Sequence, residues 1–249
     1  MESEIKKIIQ STAESLHRPD LFRKPLVSFS SASDPRYPSL KEKIGPWHMT
    51  PEELLPGAVS VISYFVPFTK SAALHPNDSD EGSPIWAEAY QEINKHFINI
   101  NDAVISLLKQ NGYDAVAIPP THTYSPTDLK CLWSHRSAAV ISGLGSFGAN
   151  GLVITEKGSG GRFCSVITSA KLTPNTEAAE QRCLYLKSGT CGLCFNICPV
   201  NALNPDRFEK FVCQDRLNHN EKEITSKTGL QSADICGKCI SICPFAYIK

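Results

Sequence analysis

Eight of the ten cysteines lie in the last 67 residues of this 249-residue chain, at spacings that could hold metal. Two runs share the pattern C-x2-C-x3-C-P, at Cys191–Pro199 and at Cys236–Pro244. Cys183 and Cys213 each precede one of the runs. Thiolate sulfur is a soft ligand that suits iron–sulfur clusters and zinc. Cysteines crowded in this way predict a metal centre rather than a disulfide framework.

The third cysteine of each run favours iron–sulfur clusters over zinc. Zinc ribbons are built from C-x2-C pairs, whereas each pair here is followed by another cysteine and a proline, as in bacterial ferredoxins. In ferredoxin-type runs the cysteine before the proline binds the other cluster. That rule predicts two 4Fe–4S clusters, the first held by Cys183, Cys191, Cys194 and Cys243 and the second by Cys198, Cys213, Cys236 and Cys239. Exchange of Cys183 and Cys213 between the sets, and a purely structural role for the clusters, are the alternatives.

Two further cysteines, Cys131 and Cys164, stand apart from these runs. We expect them in a helix and in a strand, as buried free thiols.

The overall composition excludes several functional classes. Hydrophobic residues make up 41% of the chain, enough for a sizeable core, and 25 basic residues balance 25 acidic ones. This balance disfavours nucleic acid as a partner. The chain has no run of 18 apolar residues, and its N-terminus lacks the apolar region of a signal peptide. The sequence therefore predicts a cytoplasmic protein.

Hydrophobic periodicity predicts the elements that must position the cysteines. The predicted helices are 3–17, 85–110 and 129–142, the last containing Trp133, His135 and Arg136; the predicted strands are 58–66, 114–118, 152–155 and 163–168; residues 27–50 and 70–84 are predicted to be irregular. The order strand, helix, strand over 58–118 indicates a β-α-β unit and an α/β layer. A polar segment, 121–128, follows the second of these strands, where ligands bind in open α/β sheets.

The segment Gly143–Gly148, which we call the glycine loop, matches G-x-G-x-x-G. A dinucleotide site needs a strand before this pattern and a helix after it. Here a helical pattern precedes the loop and a strand pattern follows it. The order favours close backbone approach to another bulky ligand.

Four segments resemble the epoxyqueuosine reductase family and its shorter iron–sulfur relatives. They are Leu54–Tyr64, Ser142–Thr155 with the glycine loop, and the two cysteine runs, with Cys213 matching the lone cysteine between them. The likeness extends from about residue 50 to the end of the chain.

The resemblance implies a fold, a cofactor and a reaction class. The implied fold is an α+β or α/β sandwich of the nitroreductase-like, cobalamin-processing-like type over residues 1–175, followed by a ferredoxin-like module with two 4Fe–4S clusters over 176–249. A corrinoid would lie between them and receive electrons from the clusters, which makes the protein an oxidoreductase. The implied cofactor contacts are Gly143, Leu144, Gly145, Ser146, Phe147, Gly148 and Asn150, with Arg136 and Arg162 as candidate contacts to a phosphate or a propionamide. Flavin is the alternative cofactor, because nitroreductase-like folds hold one.

Three departures from the family pattern weigh against tRNA modification. The chain stops five residues after Pro244, whereas epoxyqueuosine reductases have a longer C-terminal part thought to grip tRNA. One cluster ligand is displaced to Cys183. The register of the family's proton-donating aspartate falls on Leu129, and the nearest acid is Asp128.

Reduction at a metal-bound cofactor needs a proton donor. The candidates near the glycine loop are Tyr124, Asp128 and His135, with His122 and Arg136 beside them. Each has a structural alternative: a packed aromatic for Tyr124, a helix N-cap for Asp128 and a structural histidine for His135.

Three functions fit these features: a corrinoid-dependent iron–sulfur reductase, an epoxyqueuosine reductase, or a ferredoxin-type electron carrier without a corrinoid. The first needs an electron donor such as ferredoxin or flavodoxin. Relatives of the fold form dimers, and the sequence carries no sign for or against a homodimer.

Overall fold

The structure is a computed structural model that describes residues 1–78, 82–119 and 124–249. The strands are β1 (Leu26–Ser31), β2 (Ser60–Pro67), β3 (Ala115–Ala117), β4 (Gly145–Phe147), β5 (Val153–Thr155) and β6 (Gly161–Thr168). The helices are α1 (Glu2–Glu14), α2 (Arg36–Lys43), α3 (Pro51–Leu54), α4 (Lys70–Leu74), α5 (Pro84–Gln110), α6 (His135–Ile141), α7 (Leu184–Ser188), α8 (Leu193–Asn196), α9 (Lys210–Thr228) and α10 (Lys238–Ser241). No helix in the described ranges is long and apolar enough to cross a membrane.

The core lies between the long helix α5 and a four-stranded sheet. All eight residues of β2 are buried in the middle of this sheet, as the predicted strand 58–66 requires. Helix α5 presents one apolar face, and its fully buried residues include Ile93, Phe97, Ile100, Val104 and Leu108. Each such side chain contributes about 1.5–3 kcal/mol through burial. The helix begins where Ser83 accepts a hydrogen bond from the Trp86 N–H, and the prediction for 85–110 is confirmed.

The predicted α/β layer needs a correction. The sheet order is β1-β2-β6-β3, and every neighbouring pair is antiparallel. Strands β2 and β3 do run in the same direction around α5, as a β-α-β unit requires. Strand β6 lies between them, however, and pairs with both, for example at Tyr64 and Cys164. The fold is therefore mixed α+β with an antiparallel sheet, because a later strand occupies the gap that a parallel sheet would close.

Two segments predicted to be irregular are structured. Residues 27–50 contain β1 and α2, and the serines of β1 are satisfied inside the protein: Ser28 Oγ donates to Ser142 O, and Ser30 Oγ lies 2.8 Å from Tyr37 Oη. Residues 70–84 contain α4 and a 3-10 turn, with Ala72 and Ala73 buried. Serine-rich and short segments have a weak intrinsic propensity for helix or strand. Tertiary packing therefore determines the secondary structure of both segments.

The predicted helix 129–142 is shorter than expected. Helix α6 begins at His135, where Ser134 accepts a hydrogen bond from the Ser137 N–H. Trp133 therefore lies outside the helix, and Cys131 lies in an isolated β-bridge with Tyr124 rather than in a helix. Because Ser134 is the N-cap of α6, Asp128 does not cap this helix. Cys164 is buried in β6, as predicted.

Residues on both sides of the proposed boundary after residue 175 share one core. Ile224, Ala233 and Ile235 belong to the same hydrophobic cluster as α5 and β2. Near the C-terminus, the Gly160 N–H donates to Ala246 O at 2.9 Å. The cysteine-bearing part is thus packed tightly on the sheet-bearing part, and its short helices α7, α8 and α10 lie around the cysteine runs.

Candidate cluster sites and cofactor cleft

The first predicted set of cysteines lines a single small cavity. Cys183, Cys191, Cys194 and Cys243 surround a space of about 20 Å³, together with apolar side chains that include Ile154 and Phe245. Burial, with a smaller contribution from the neighbouring thiols of this set, raises the pKa of Cys243 to about 11. The Ala149 N–H donates a hydrogen bond to Cys183 Sγ at 3.4 Å. We call this space the cysteine cavity.

The second predicted set is also brought together. Burial, with smaller contributions from the neighbouring thiols of Cys236 and Cys198, raises the pKa of Cys213 to about 11. Burial, with smaller contributions from Cys236, Cys213, Cys194 and Cys198, raises the pKa of Cys239 to about 12. Cys194 is the one member of the first set among these neighbours. The Ala202 N–H donates to Cys198 Sγ at 3.2 Å.

The donor types of these sites, rather than their spacing, bear on what they could bind. Among the described residues, no three His, Cys, Asp or Glu side chains converge closely enough to bind one metal ion. All-thiol donors with few acids or histidines suit iron and sulfide. Bound metal would also hold as thiolates the sulfurs that burial otherwise keeps protonated.

The first two glycines of the glycine loop, Gly143 and Gly145, are required by close packing against the backbone of other segments. At Gly143, which has φ +76°, a Cβ atom would lie 2.5 Å from Glu177 O. At Gly145, in the β4–β5 hairpin, a Cβ atom would lie 2.5 Å from Ile154 O. Ser146 Oγ donates to Glu180 O at 2.9 Å. Backbone packing therefore accounts for these glycines without a ligand.

The end of the loop separates two spaces. Phe147 faces a large cleft, whereas Gly148 and Asn150 line the cysteine cavity. Asn150 Nδ2 donates to Cys239 O at 2.8 Å and so ties the loop to the second cysteine run. Of the predicted loop contacts, Phe147 lines the cleft, and Gly143, Leu144, Gly145 and Ser146 do not.

The cleft has a volume of about 860 Å³ and a positive lining. Among the described lining residues there are five cationic side chains, Lys43, Lys130, Arg136, Arg162 and Lys210, but one acidic side chain, Asp234. Aromatic side chains form much of the wall: Trp47, Trp86, Tyr90, Trp133 and Phe163. Cys236 of the second cysteine set also lines the cleft. Such a space suits a large ligand with apolar faces and anionic groups.

Two arginines face the cleft without a carboxylate partner among the described residues. Arg136 Nη1 donates to Gly151 O at 2.9 Å, and Arg162 Nε donates to Asn94 Oδ1 at 3.2 Å. The guanidinium of Arg162 lies 4.6 Å from the centre of the Tyr90 ring. Surrounding protein lowers the pKa of Arg136, and the charge of Arg162 lowers it further. An anionic group between them would relieve this repulsion.

His135 is a neutral imidazole in the wall of the cleft. Its pKa is lowered to about 4, mainly by burial and also by the charge of Arg162, against an opposing hydrogen bond to the Pro119 carbonyl. Its Nδ1 lies 2.7 Å from Ser165 Oγ, which accepts a hydrogen bond from Trp133 Nε1 at 2.9 Å. The ring is therefore held in a fixed orientation.

The other two candidate proton donors lie on the segment that follows β3. Tyr124 lines the cleft, and burial together with the charge of Asp234 raises its pKa. Asp128 does not line the cleft: its carboxylate pairs with Lys130 Nζ at 2.7 Å, which lowers its pKa, so it is ionised at neutral pH. His122 lies outside the described residues.

Sequence reasoning missed several cleft residues, among them Trp47, Tyr90, Lys210 and Asp234. They come from four separate parts of the chain, and no local pattern marks them. Of these four residues, only Asp234 could have been suspected from the sequence, because it stands two residues before Cys236, a predicted cluster ligand.

No protein-family model matches the sequence, and no curated protein matches it significantly. Solved structures do match. An epoxyqueuosine reductase from Bacillus subtilis, with its catalytic aspartate loop swung out of the active site, has 18% identity and a TM-score of 0.57 over 97% of this chain and 66% of its own. An epoxyqueuosine reductase with a modified tRNA-Tyr stem loop has 20% identity and a TM-score of 0.59, over 98% of this chain and 66% of its own.

A catabolic reductive dehalogenase, in complex with 3-bromo-4-hydroxybenzoic acid, has 14% identity and a TM-score of 0.59 over 90% of this chain and 30% of its own. The chain thus spans slightly less than two thirds of the length of the epoxyqueuosine reductases that it matches. These matches confirm the resemblance at the level of the fold: this chain has the fold that epoxyqueuosine reductases and a reductive dehalogenase share.

Proposed function

We propose that this protein is a corrinoid-dependent iron–sulfur reductase. The observation that carries the proposal is the position of Cys236, which belongs to one predicted cluster set and also lines the large cleft. A cluster held there would border directly on a ligand in the cleft. Known proteins with the same fold are reductases, and this supports a redox function for a cluster placed next to a bound ligand.

The eight cysteines would hold two 4Fe–4S clusters in the two predicted sets. Support comes from the cysteine cavity, which gathers all four members of the first set, and from the mutual influence of the second set. The backbone N–H groups of Ala149 and Ala202 would donate to cluster-bound sulfurs and so tune the reduction potential. Residues 176–249 would form the cluster-bearing module of the proposed division.

The cleft would hold the corrinoid. Its aromatic walls fit the faces of a macrocycle, and Arg136 and Arg162 fit a phosphate or amide side group. A bound corrinoid supplies a cobalt centre that can be reduced to a strongly nucleophilic state. Phe147 and the strand after the glycine loop would then separate this ligand from the cysteine cavity.

Tyr124 is the proposed proton donor, because it lines the cleft and its raised pKa keeps the phenol protonated. His135 also lines the cleft, but its lowered pKa leaves the ring neutral, so it would orient a ligand and could donate only after taking up a proton. Asp128 is ionised and lies outside the lining, so it could act only if its loop moved and its carboxylate gained a proton. The Bacillus subtilis enzyme carries its catalytic aspartate on a loop that is swung out of the active site in that structure. This supports keeping Asp128 as a third candidate.

The test is an anaerobic titration of the cluster-loaded chain with cobalamin, followed by absorption spectroscopy. We expect cluster absorption before the titration and a base-off cobalamin spectrum during it. Arg162→Gln should weaken binding about tenfold, the value of one charged hydrogen bond. Arg207→Gln is the matched control, since Arg207 is 71% exposed and does not line the cleft. A chain that loads clusters but leaves the cobalamin spectrum unchanged would contradict the proposal. A flavin spectrum in the purified protein would replace the corrinoid with the alternative cofactor.

A further inference from the structure

Cys243 is the one thiol of the cysteine cavity that comes from the second cysteine run. The other three lie within Cys183–Cys194, whereas Cys243 is followed by the segment Pro244–Ile248, which we call the strap. A hydrogen bond links the Phe245 backbone to the Cys243 thiol, and the Ala246 N–H donates to Cys243 O at 2.8 Å. The position of this thiol is therefore tied to the position of the strap.

The strap docks on the turn between β5 and β6 through backbone hydrogen bonds. The Ser159 N–H donates to Phe245 O at 3.0 Å, and the Gly160 N–H donates to Ala246 O at 2.9 Å. At Gly158 a Cβ atom would lie 2.6 Å from Ala246 O, so the two backbones are in close contact. These contacts join main chain to main chain, and none of them uses a thiol.

Arg23 joins this contact from a third segment. Its guanidinium donates one hydrogen bond to each of three carbonyl groups: Nε to Phe68 O at 2.8 Å, Nη1 to Ile248 O at 2.7 Å and Nη2 to Lys157 O at 2.6 Å. The guanidinium carbon also lies 4.3 Å from the centre of the Tyr247 ring. A rigid, planar guanidinium can bond three acceptors in fixed directions, whereas a lysine ammonium cannot reproduce this geometry.

We propose that Arg23 is a positioning residue for the first cluster, because it docks the strap and so holds Cys243 in place before metal binds. The inference rests on the proposed function, since it requires a cluster in the cysteine cavity. A ligand that is already ordered lowers the cost of closing the cluster site. The second cysteine set contains no residue of the strap, so its cluster should depend much less on Arg23.

The first test measures whether the strap docks without metal. Amide hydrogen exchange is followed in the metal-free full chain at Ser159, Gly160 and Ile248, whose N–H groups bond across the contact. We expect these amides to be protected in the wild type and to exchange about tenfold faster in Arg23→Lys. Free exchange of the three amides in the metal-free wild type would overturn the inference.

The second test measures release of iron from the cluster-loaded chain to the chelator ferrozine. It is run in two backgrounds, Cys213→Ala, which keeps the first cysteine set complete, and Cys183→Ala, which keeps the second. We expect Arg23→Lys to speed iron release about tenfold in the first background and to leave it unchanged in the second. A general loosening of the fold would speed release in both backgrounds and would contradict a positioning role.

Two further variants calibrate both tests. Arg18→Lys is the matched control, because the Arg18 side chain pairs with Asp20 and Glu88 rather than with the strap, and both measurements should equal those of the wild type. Tyr247→Leu removes the ring beside the guanidinium but keeps Arg23, so it should change both measurements in the same direction by about threefold.

The outcomes separate this inference from the proposed function. Equal iron release from Arg23→Lys and Arg18→Lys in the Cys213→Ala background would overturn the positioning role alone. A wild-type chain that takes up no iron and sulfide would overturn the proposed function. The exchange measurement on the metal-free chain depends on neither cluster.

Discussion

The cysteine cavity and the cleft lie on opposite sides of the end of the glycine loop, and they are built in opposite ways. The cavity holds about 20 Å³ and is lined by four thiols and apolar groups. The cleft holds about 860 Å³ and is lined by aromatic rings and five cations. The thiols of the first suit an inorganic group, and the size and lining of the second suit a large organic ligand.

The two spaces also differ in how far apart their residues stand in the sequence. Three of the four thiols of the cavity fall within Cys183–Cys194, whereas the cleft draws on residues from Leu40 to Ile240. A site made of adjacent residues can be identified from spacing. A site assembled from distant segments depends on the packing of the whole fold.

Removing one cluster ligand should have the largest effect. In Cys194→Ala, one of four thiolates is lost from the cysteine cavity, so we expect about four fewer iron atoms per chain after reconstitution. Cys131→Ala is the matched control, because Cys131 belongs to neither predicted set and should not affect iron content. Iron and sulfide analysis checks both. Iron loss in the control variant would make Cys131 a cluster ligand and contradict the two predicted sets.

Adding a methyl group to the glycine loop should destabilise the wall between the two spaces. Gly143 and Gly112 have almost the same backbone angle, φ +76° and +80°, but only Gly143 has backbone atoms where a Cβ would lie. We expect Gly112→Ala to lower the free energy of unfolding by about 1 kcal/mol and Gly143→Ala by about 3 kcal/mol. Chemical denaturation measures both values. Equal losses would mean that the contact with Glu177 O carries no strain.

The half-buried histidine of the cleft, His135, should make stability depend on pH. The pKa of His135 is lowered to about 4, so the unfolded chain takes up a proton before the folded one does. Its contribution is therefore intact above about pH 6.5 and is lost as the pH falls towards 4. We expect a loss on the order of 2 kcal/mol, because the ring also faces water in the cleft.

In His135→Gln, the free energy of unfolding should fall less steeply between about pH 6.5 and pH 4. Denaturation at several pH values measures this dependence. Buried His48, whose pKa burial also lowers, should leave a residual slope. The exposed His219 provides the control, and His219→Gln should keep the wild-type profile. An unchanged slope in His135→Gln would show that another group titrates in this range.

A small effect is expected at the mouth of the cleft. Lys210 Nζ donates to Asp128 O at 2.5 Å and ties the loop of Asp128 to the first residue of α9. Lys210→Met should remove this contact at a cost of about 0.5–1 kcal/mol and increase amide hydrogen exchange over residues 125–130. Lys222→Met, also on α9, is the control. Unchanged exchange would show that the loop is held by its own hydrogen bonds, such as the one from Leu129 N to Ser125 O.

Much of the fold could be predicted where a segment carries its own signal. Helix α5 and strand β2 were predicted to within a few residues because long apolar periodicity requires burial. Strand β1 was missed because its serines look like a loop until Ser142 O and Tyr37 Oη satisfy them. The predicted start of α6 was also wrong, because Ser134 caps the helix and Trp133 lies before it, packed on Tyr37.

The sequence by itself determined that eight cysteines stand at the spacing of cluster ligands, because spacing is a local property of the chain. It also indicated the fold shared with epoxyqueuosine reductases, through short segments that resemble that family. Only the tertiary structure brought Cys236, Arg136 and Arg162 to one cleft and turned the glycine loop into a wall between two spaces. The physical reason is that the insertion of β6 between β2 and β3 and the packing of α9 on α5 join segments far apart in the chain, and no local pattern encodes such contacts.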